Sequence, residues 1–149
     1  LPLRAIGVVR NGITDGRDEG WGDVVSELRL DTALTRGLDG IGSFSHALVI
    51  YWMHESTFDV ARDLVRRPRG RADLSELGIF AQRAKHRPNP IGVTAVEVIE
   101  RSGAVLRVRG LDAIDGTLIL DLKPYFPDFD RVDSPRVPEW TDRLMKAYF

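Results

Sequence analysis

Short apolar runs rich in β-branched residues recur along the chain at residues 3–9 (LRAIGVV), 23–30 (DVVSELRL), 45–53 (SHALVIYWM), 77–81 (LGIFA), 91–99 (IGVTAVEVI), 104–109 (AVLRVR) and 117–122 (TLILDL). Gly, Asp and Pro bound them, which is the signature of short strands. Two runs alternate with the period of a sheet that turns one face inward: Leu106 and Val108 against Arg107 and Arg109, and Leu118, Leu120 and Leu122 against Ile119 and Asp121. The pattern predicts a mainly β fold, a small barrel or sandwich. Between the runs, GLDG (37–40), RSG (101–103) and DAIDG (112–116) carry the turn chemistry of hairpin connections, with Asp bonding its own backbone and Gly taking positive φ. Residues 59–67 (DVARDLVRR) fit either period and are read as a strand. Past Pro135 the period changes: Pro138 can open a helix, and Trp140, Leu144 and Tyr148 then share one stripe, so a short C-terminal helix is expected. No repeat, low-complexity tract or linker interrupts the 149 residues, and one domain spanning 1–149 is expected.

Composition narrows the function classes. Hydrophobic residues at 43% and charged residues at 29% are ordinary for a folded domain. A net charge of −1 lacks the basic excess of a general nucleic-acid binder, so contact with a polyanion must come from a local patch. The absence of cysteine removes thiolate catalysis and cysteine-based metal sites, and the three histidines (His46, His54, His86) form no close pair, so no metal is expected. No apolar run approaches the roughly 20 residues of a membrane span, and the opening LPLRAIG is too short and polar for a signal sequence. A cytoplasmic protein without membrane association is expected.

Candidate chemistry concentrates in KHRPNPIG (85–92). Its two prolines fix their own φ and hold Arg87 and Asn89 out of the helical region, which makes a rigid extended loop beside Lys85, His86 and Arg87. Such a loop can grip a ligand at low entropic cost, or it can be a stiff strand entry whose charges face water. Arg83 lies four residues before Arg87, and RRPRGR adds Arg66, Arg67, Arg69 and Arg71; together they form a candidate polyanion patch or a solvated surface loop. His54 and Glu55 close an apolar strand, where side chains emerge at a sheet rim. Trp21, between Gly20 and Gly22, can stack on a base or plug a gap in the core. Lys123 and Tyr125, on either side of Pro124 at a strand end, present a cation and a phenol usable in proton transfer or orientation.

Taken in order, FSHALVIYWMHE, RRPRG, GIFAQRAKHRPNPIG and GLDAIDGTLILDLKPY resemble the YaeB-like or TrmO family of S-adenosylmethionine-dependent methyltransferases, which methylate the exocyclic amine of threonylcarbamoyl-adenosine beside the tRNA anticodon. The resemblance runs from Ile6 to about Asp130, and it implies a small β-barrel, a homodimer, S-adenosyl-L-methionine as cofactor and tRNA as partner. It also implies cofactor contacts at His54, Glu55, Arg83, Val93 and Arg109, Gly110, Leu111 and Asp112, and a contribution from an N-terminal loop, for which Gly20, Trp21 and Gly22 are taken as candidates though they match the family poorly. Arg66, Arg67, Arg69, Arg71, Lys85 and Arg87 are then candidates for RNA contact, and Asp115, Lys123 and Tyr125 for catalysis. The chain departs from the family pattern in having Gln82, Ala84 and Lys85 where Thr, Ser and Pro are usual, and it is expected to do without the second domain common in bacterial members. A methyltransferase acting on another nucleoside or a small acceptor, or a barrel that binds the cofactor or RNA without turnover, remains an alternative.

Overall fold

The structure, a computed structural model, describes all of residues 1–149. Eight strands form: β1 (Gly7–Arg10), β2 (Val25–Leu30), β3 (His46–Trp52), β4 (Val65–Arg66), β5 (Leu77–Gly78), β6 (Ile91–Ser102), β7 (Val105–Arg109) and β8 (Leu118–Pro124). Three short helices accompany them, α1 (Val60–Asp63), α2 (Pro127–Asp130) and α3 (Trp140–Leu144). Six strands close into an antiparallel barrel in the order β1-β2-β7-β6-β3-β8, and β4 pairs with β5 outside it. The mainly β expectation holds, and closure leaves the barrel no free edge.

Strand alternation fills the interior. Val9, Leu28, Val49, Val96, Leu106 and Val108 are buried inside, while Arg107 and Arg109 point outward as expected. The phase expected for β8 is half right. Ile119 is fully buried and Leu118 is exposed, because the β3–β8 register shifts between Ile50 and Tyr51; beyond that bulge Leu122 returns to the core.

Local readings that ignored tertiary neighbours needed correction. Of the three expected hairpins only RSG is one, turning β6 into β7 at Gly103 with φ 60°. GLDG lies on the path from β2 to β3 and DAIDG on the path from β7 to β8; neither pair is adjacent in the barrel, so these segments cross its ends. Residues 59–67 are not one strand. The Asp59 carboxylate accepts from the Ala61 and Arg62 amides at 2.9 and 3.3 Å and starts the single turn of α1, leaving only Val65–Arg66 extended. The 77–81 run is extended only at Leu77–Gly78 before a 3-10 turn. The C-terminal helix forms but ends at Leu144, so Tyr148 lies beyond it. No helix is long and apolar enough to cross a membrane.

Antiparallel order sorts the loops. The C-terminal ends of β1, β3 and β7 and the N-terminal ends of β2, β6 and β8 share one rim. Gly20–Gly22, His54–Glu55, the 83–90 loop and 110–116 all adjoin that rim. Lys123 and Tyr125 belong to the opposite one.

Candidate functional site

Asp112 is the hub of the rim. Thr94, inward-facing on β6, and Tyr51, inward-facing on β3, both donate their hydroxyls to Asp112 Oδ1, Tyr51 at 3.1 Å. Tyr148 donates its hydroxyl to Oδ2 at 2.5 Å. Burial first, and the Asp112 charge second, push both tyrosine hydroxyls well above their ordinary range, so they act as donors and not as bases. Tyr51 reaches Asp112 because its ring lies over Gly92, its β6 neighbour: a Cβ there would stand 2.3 Å from Tyr51 Cζ. The glycine of RPNPIG is thus required by a close approach.

Around the hub, the 20–22 loop is pinned. The Gly20 and Trp21 amides donate to the Ala147 and Tyr148 carbonyls at 2.9 and 2.8 Å. Trp21 is buried and gives its indole N–H to the Arg17 carbonyl at 2.7 Å, which makes it a core plug rather than a stacking surface. An open groove of about 460 Å³ lies against this loop, lined by Arg17, Glu19, Gly20 and Ala147.

Asp115 has a different task. Its Oδ1 accepts from the Asn11 and Gly12 amides at 2.8 and 3.1 Å, and Arg10 approaches its Oδ2 at 3.3 Å. The two amides, with Arg10 adding, hold its carboxyl below the usual range, so Asp115 anchors the loop after β1 and is a poor base. His54 stands close by: its Nε2 is 3.9 Å from the position a Cβ on Gly116 would take and 4.0 Å from Glu55 Oε1.

The remaining expected cofactor positions separate by side-chain direction. Leu111 is fully buried in the core. Arg109 pairs with Glu97 on the barrel's outer face at 2.8 Å, and Gly110, with φ 92°, turns the chain toward Asp112. Val93 faces outward and half exposed, with the exposed Arg83 guanidinium donating to its carbonyl at 2.5 Å. Gln82, where Thr is usual, is buried and gives its amide to the Arg66 and Leu77 carbonyls, tying β4 to β5.

The basic cluster is mostly spent inside the chain. Arg66 pairs with the buried Asp63 at 3.1 Å, Arg67 donates to the Leu74 carbonyl, Arg69 to the Leu144 carbonyl at 2.6 Å, and Arg71 pairs with Asp73 at 2.9 Å. Arg87 donates to the Gln82 and Ala84 carbonyls. Lys85 is exposed and joins no ion pair, so it is a free cation at this rim; the exposed Arg83 and Arg17 also join no ion pair and donate only to carbonyls.

At the far rim, Lys123 pairs with Asp121 at 2.9 Å, which raises its pKa and keeps it a cation. Tyr125 lies edge-on to His46. Lys123 is five residues along β8 from Leu118, roughly 17 Å at strand spacing. The fold of the chain therefore does not bring Lys123 and Tyr125 to Asp112. No group of three His, Cys, Asp or Glu side chains is arranged to hold a metal.

Alternation held a signal for two residues missed in the sequence: Tyr51 and Thr94 share the inward phase of their strands, so their polar tips had to meet a partner. Tyr148 gave no such signal.

The chain matches the family model described as the tRNA-methyltransferase O N-terminal domain over residues 18–131. It is 39% identical over 134 residues to a probable S-adenosyl-L-methionine-binding protein of Methanothermobacter thermautotrophicus, covering 87% of this chain and 93% of that protein. A tRNA (adenine(37)-N6)-methyltransferase of Escherichia coli is 37% identical over 92 residues, 59% of this chain and 39% of that enzyme. A crystal structure of TrmO from Pseudomonas aeruginosa is similar at a TM-score of 0.76 and 26% identity, covering 94% of this chain and 61% of that one. The chain thus spans nearly all of the first relative and under two thirds of the other two. With the model match running from the 20–22 loop through Asp112 to the end of α2, the chain belongs to the tRNA-methyltransferase O (TrmO) family.

Proposed function

We propose that this domain binds S-adenosyl-L-methionine at the Asp112 rim and transfers its methyl group to the exocyclic amine of an adenosine in tRNA, the threonylcarbamoyl-adenosine beside the anticodon. The observation that carries the reading is the Asp112 carboxylate, held by three hydroxyls with one direction of Oδ2 unused, at a rim it shares with His54 and the Gly20–Gly22 loop. The residues fit the cofactor: Asp112 can accept from a ribose hydroxyl or face a sulfonium, and the exposed Arg83 can clamp a carboxylate. When bound, the cofactor supplies an electrophilic methyl group. The chain's part is to hold donor and acceptor in line, the kind of positioning that supplies much of the rate in such transfers. Lys85 and Arg83 are the free or partly free cations for the RNA backbone; the Arg66–Arg71 cluster is already engaged. We place the enzyme in the cytoplasm, where its RNA substrate resides. Titration of the protein with S-adenosylmethionine, against S-adenosylhomocysteine and ATP, tests the reading: one saturable site per chain not matched by ATP supports it, and no binding by folded protein overturns it.

The same reading includes a homodimer. On the barrel's outer face Trp52 lies between Ile91 and Leu118, Ile50 beside Val93, and Leu48 beside Ala95. Ile91, Val93 and Leu118 are each about two fifths exposed. An apolar patch across three adjacent strands supports this reading, since an isologous pairing there can set the β8 end of one subunit against the Asp112 rim of the other. Lys123 and Tyr125 would then serve the partner's site. Ile50→Glu should give monomers by sedimentation, and mixing inactive Asp112→Ala and Lys123→Ala proteins should restore part of the activity. A wild-type monomer at micromolar concentration would exclude this arrangement.

A further inference from the structure

Residues 140–149 lie beyond the matched 18–131 domain, yet they reach its hub. Arg69 donates to the Leu144 carbonyl at 2.6 Å, Arg71 to the Arg143 carbonyl at 3.3 Å, and Arg143 pairs with Asp73 at 3.1 Å, which holds α3 against the 69–73 loop. The chain then reverses at Ala147, with φ 59°, and the Ala147 and Tyr148 carbonyls take the Gly20 and Trp21 amides. This turn drives the Tyr148 side chain inward, under the Arg69 guanidinium at 5.4 Å, and brings its hydroxyl to Asp112. Gly22 fits because it has no side chain: a Cβ there would stand 2.5 Å from the Phe149 carbonyl carbon.

The bonds to Asp112 are unevenly distributed. A carboxylate offers about four lone-pair directions, two on each oxygen. Thr94 and Tyr51 fill Oδ1; Tyr148 fills one direction of Oδ2. We propose that Tyr148 is a positioning residue of the cofactor site: it fixes the Asp112 carboxylate so that the one lone pair not bonded within the chain faces the rim, where the cofactor is received. The 140–149 segment is thereby a working part of the site, and not only a closing element of the fold. If packing were its whole role, the Tyr148 ring would be enough and the hydroxyl dispensable.

This inference rests on the cofactor reading above, and Tyr148→Phe separates the two. The variant keeps the ring under Arg69 and removes only the hydroxyl. Calorimetric titration of S-adenosylmethionine into both proteins should show about tenfold weaker binding by the variant, the loss expected for one hydrogen bond to a charged group. Hydrogen exchange at the Gly20 and Trp21 amides should stay slow in both, since their backbone bonds to Ala147 and Tyr148 remain. Equal or tighter binding by the variant overturns the positioning role and leaves the segment a bystander or a plug. Weaker binding together with fast exchange at Gly20 and Trp21 also overturns it, because general undocking would then be the cause. If the wild-type protein itself does not bind, the cofactor reading falls and this inference falls with it.

Discussion

Replacing Gly92 with alanine attacks the site through the barrel wall. An alanine Cβ would stand 2.3 Å from Tyr51 Cζ, 2.5 Å from Cε2 and 2.7 Å from its hydroxyl, where ordinary contact begins near 3.4 Å. The Tyr51 ring must therefore move by about 1 Å, and its 3.1 Å bond to Asp112 leaves hydrogen-bonding range. Overpacking of a well-filled core typically costs about 1 to 3 kcal/mol. A lost hydrogen bond to a charged group adds about 1.5 to 3 kcal/mol. The expected destabilisation is about 2.5 to 6 kcal/mol, which for a domain of this size lowers the melting temperature by roughly 2 to 4 °C per kcal/mol. Thermal denaturation gives the first number, and calorimetric titration of S-adenosylmethionine at 15 °C gives the effect on the site while the variant is still folded. Tyr51→Phe supplies the comparison: it loses the bond without the clash, so it should weaken binding with the smaller loss of stability. The double variant Gly92→Ala/Tyr51→Ala removes the clashing ring, so its loss of stability should be smaller than the sum of the losses from Gly92→Ala and Tyr51→Ala measured singly. A Gly92→Ala protein that melts within about 2 °C of wild type and binds the cofactor equally well would refute the reasoning, since the Tyr51 ring would then not depend on an open position at residue 92.

Two further outcomes are expected. Arg83→Ala should weaken cofactor binding by about 1.5 to 3 kcal/mol, the range of a charge-assisted pair to a carboxylate, and leave the melting temperature nearly unchanged because the side chain is exposed; an unchanged dissociation constant removes Arg83 from the site. Asp115, whose carboxyl is held below its ordinary value by the Asn11 and Gly12 amides, contributes stability that is complete above its unfolded value near 4 and is lost as pH falls through the folded value. Melting temperature measured from pH 6 down to pH 2.5 should therefore fall less steeply for Asp115→Asn than for wild type, and parallel curves would contradict the assignment.

The strands were legible where one face is buried. Alternation set the inward phase of β7 correctly, because burial on one side is a constraint each residue carries by itself. It was only half right at β8, where the shift between Ile50 and Tyr51 is decided by the neighbouring strand and leaves no mark in the LILDL pattern. The same limit explains GLDG and DAIDG. An Asp-Gly pair favours a turn but does not name what the turn joins, and in a barrel where β7 and β8 are not neighbours the DAIDG turn becomes a crossing segment that carries Asp112 over the rim.

The site divides along the same physical line. Asp112, Gly92 and Arg83 stand in contiguous motifs, so a resemblance could indicate them. The arginines of RRPRGR could not be judged from charge alone, because their partners are an α1 aspartate, the Leu74 and Leu144 carbonyls and an aspartate in the loop they belong to. A run of guanidinium groups reads as a polyanion patch until carbonyl acceptors claim it, and those acceptors are set by the tertiary path of the chain. Tyr148 is the extreme case. Its partner is 36 residues away, and it reaches Asp112 through a reversed turn at a non-glycine residue and two backbone bonds to the 20–22 loop. The Arg66–Arg71 segment and Tyr148 therefore explain each other: Arg69 and Arg71 hold α3, α3 leads into the turn at Ala147, and the turn places the hydroxyl. Residues that look like an RNA surface in the sequence thus also brace, in the fold, the turn that carries a distant tyrosine to the Asp112 carboxylate.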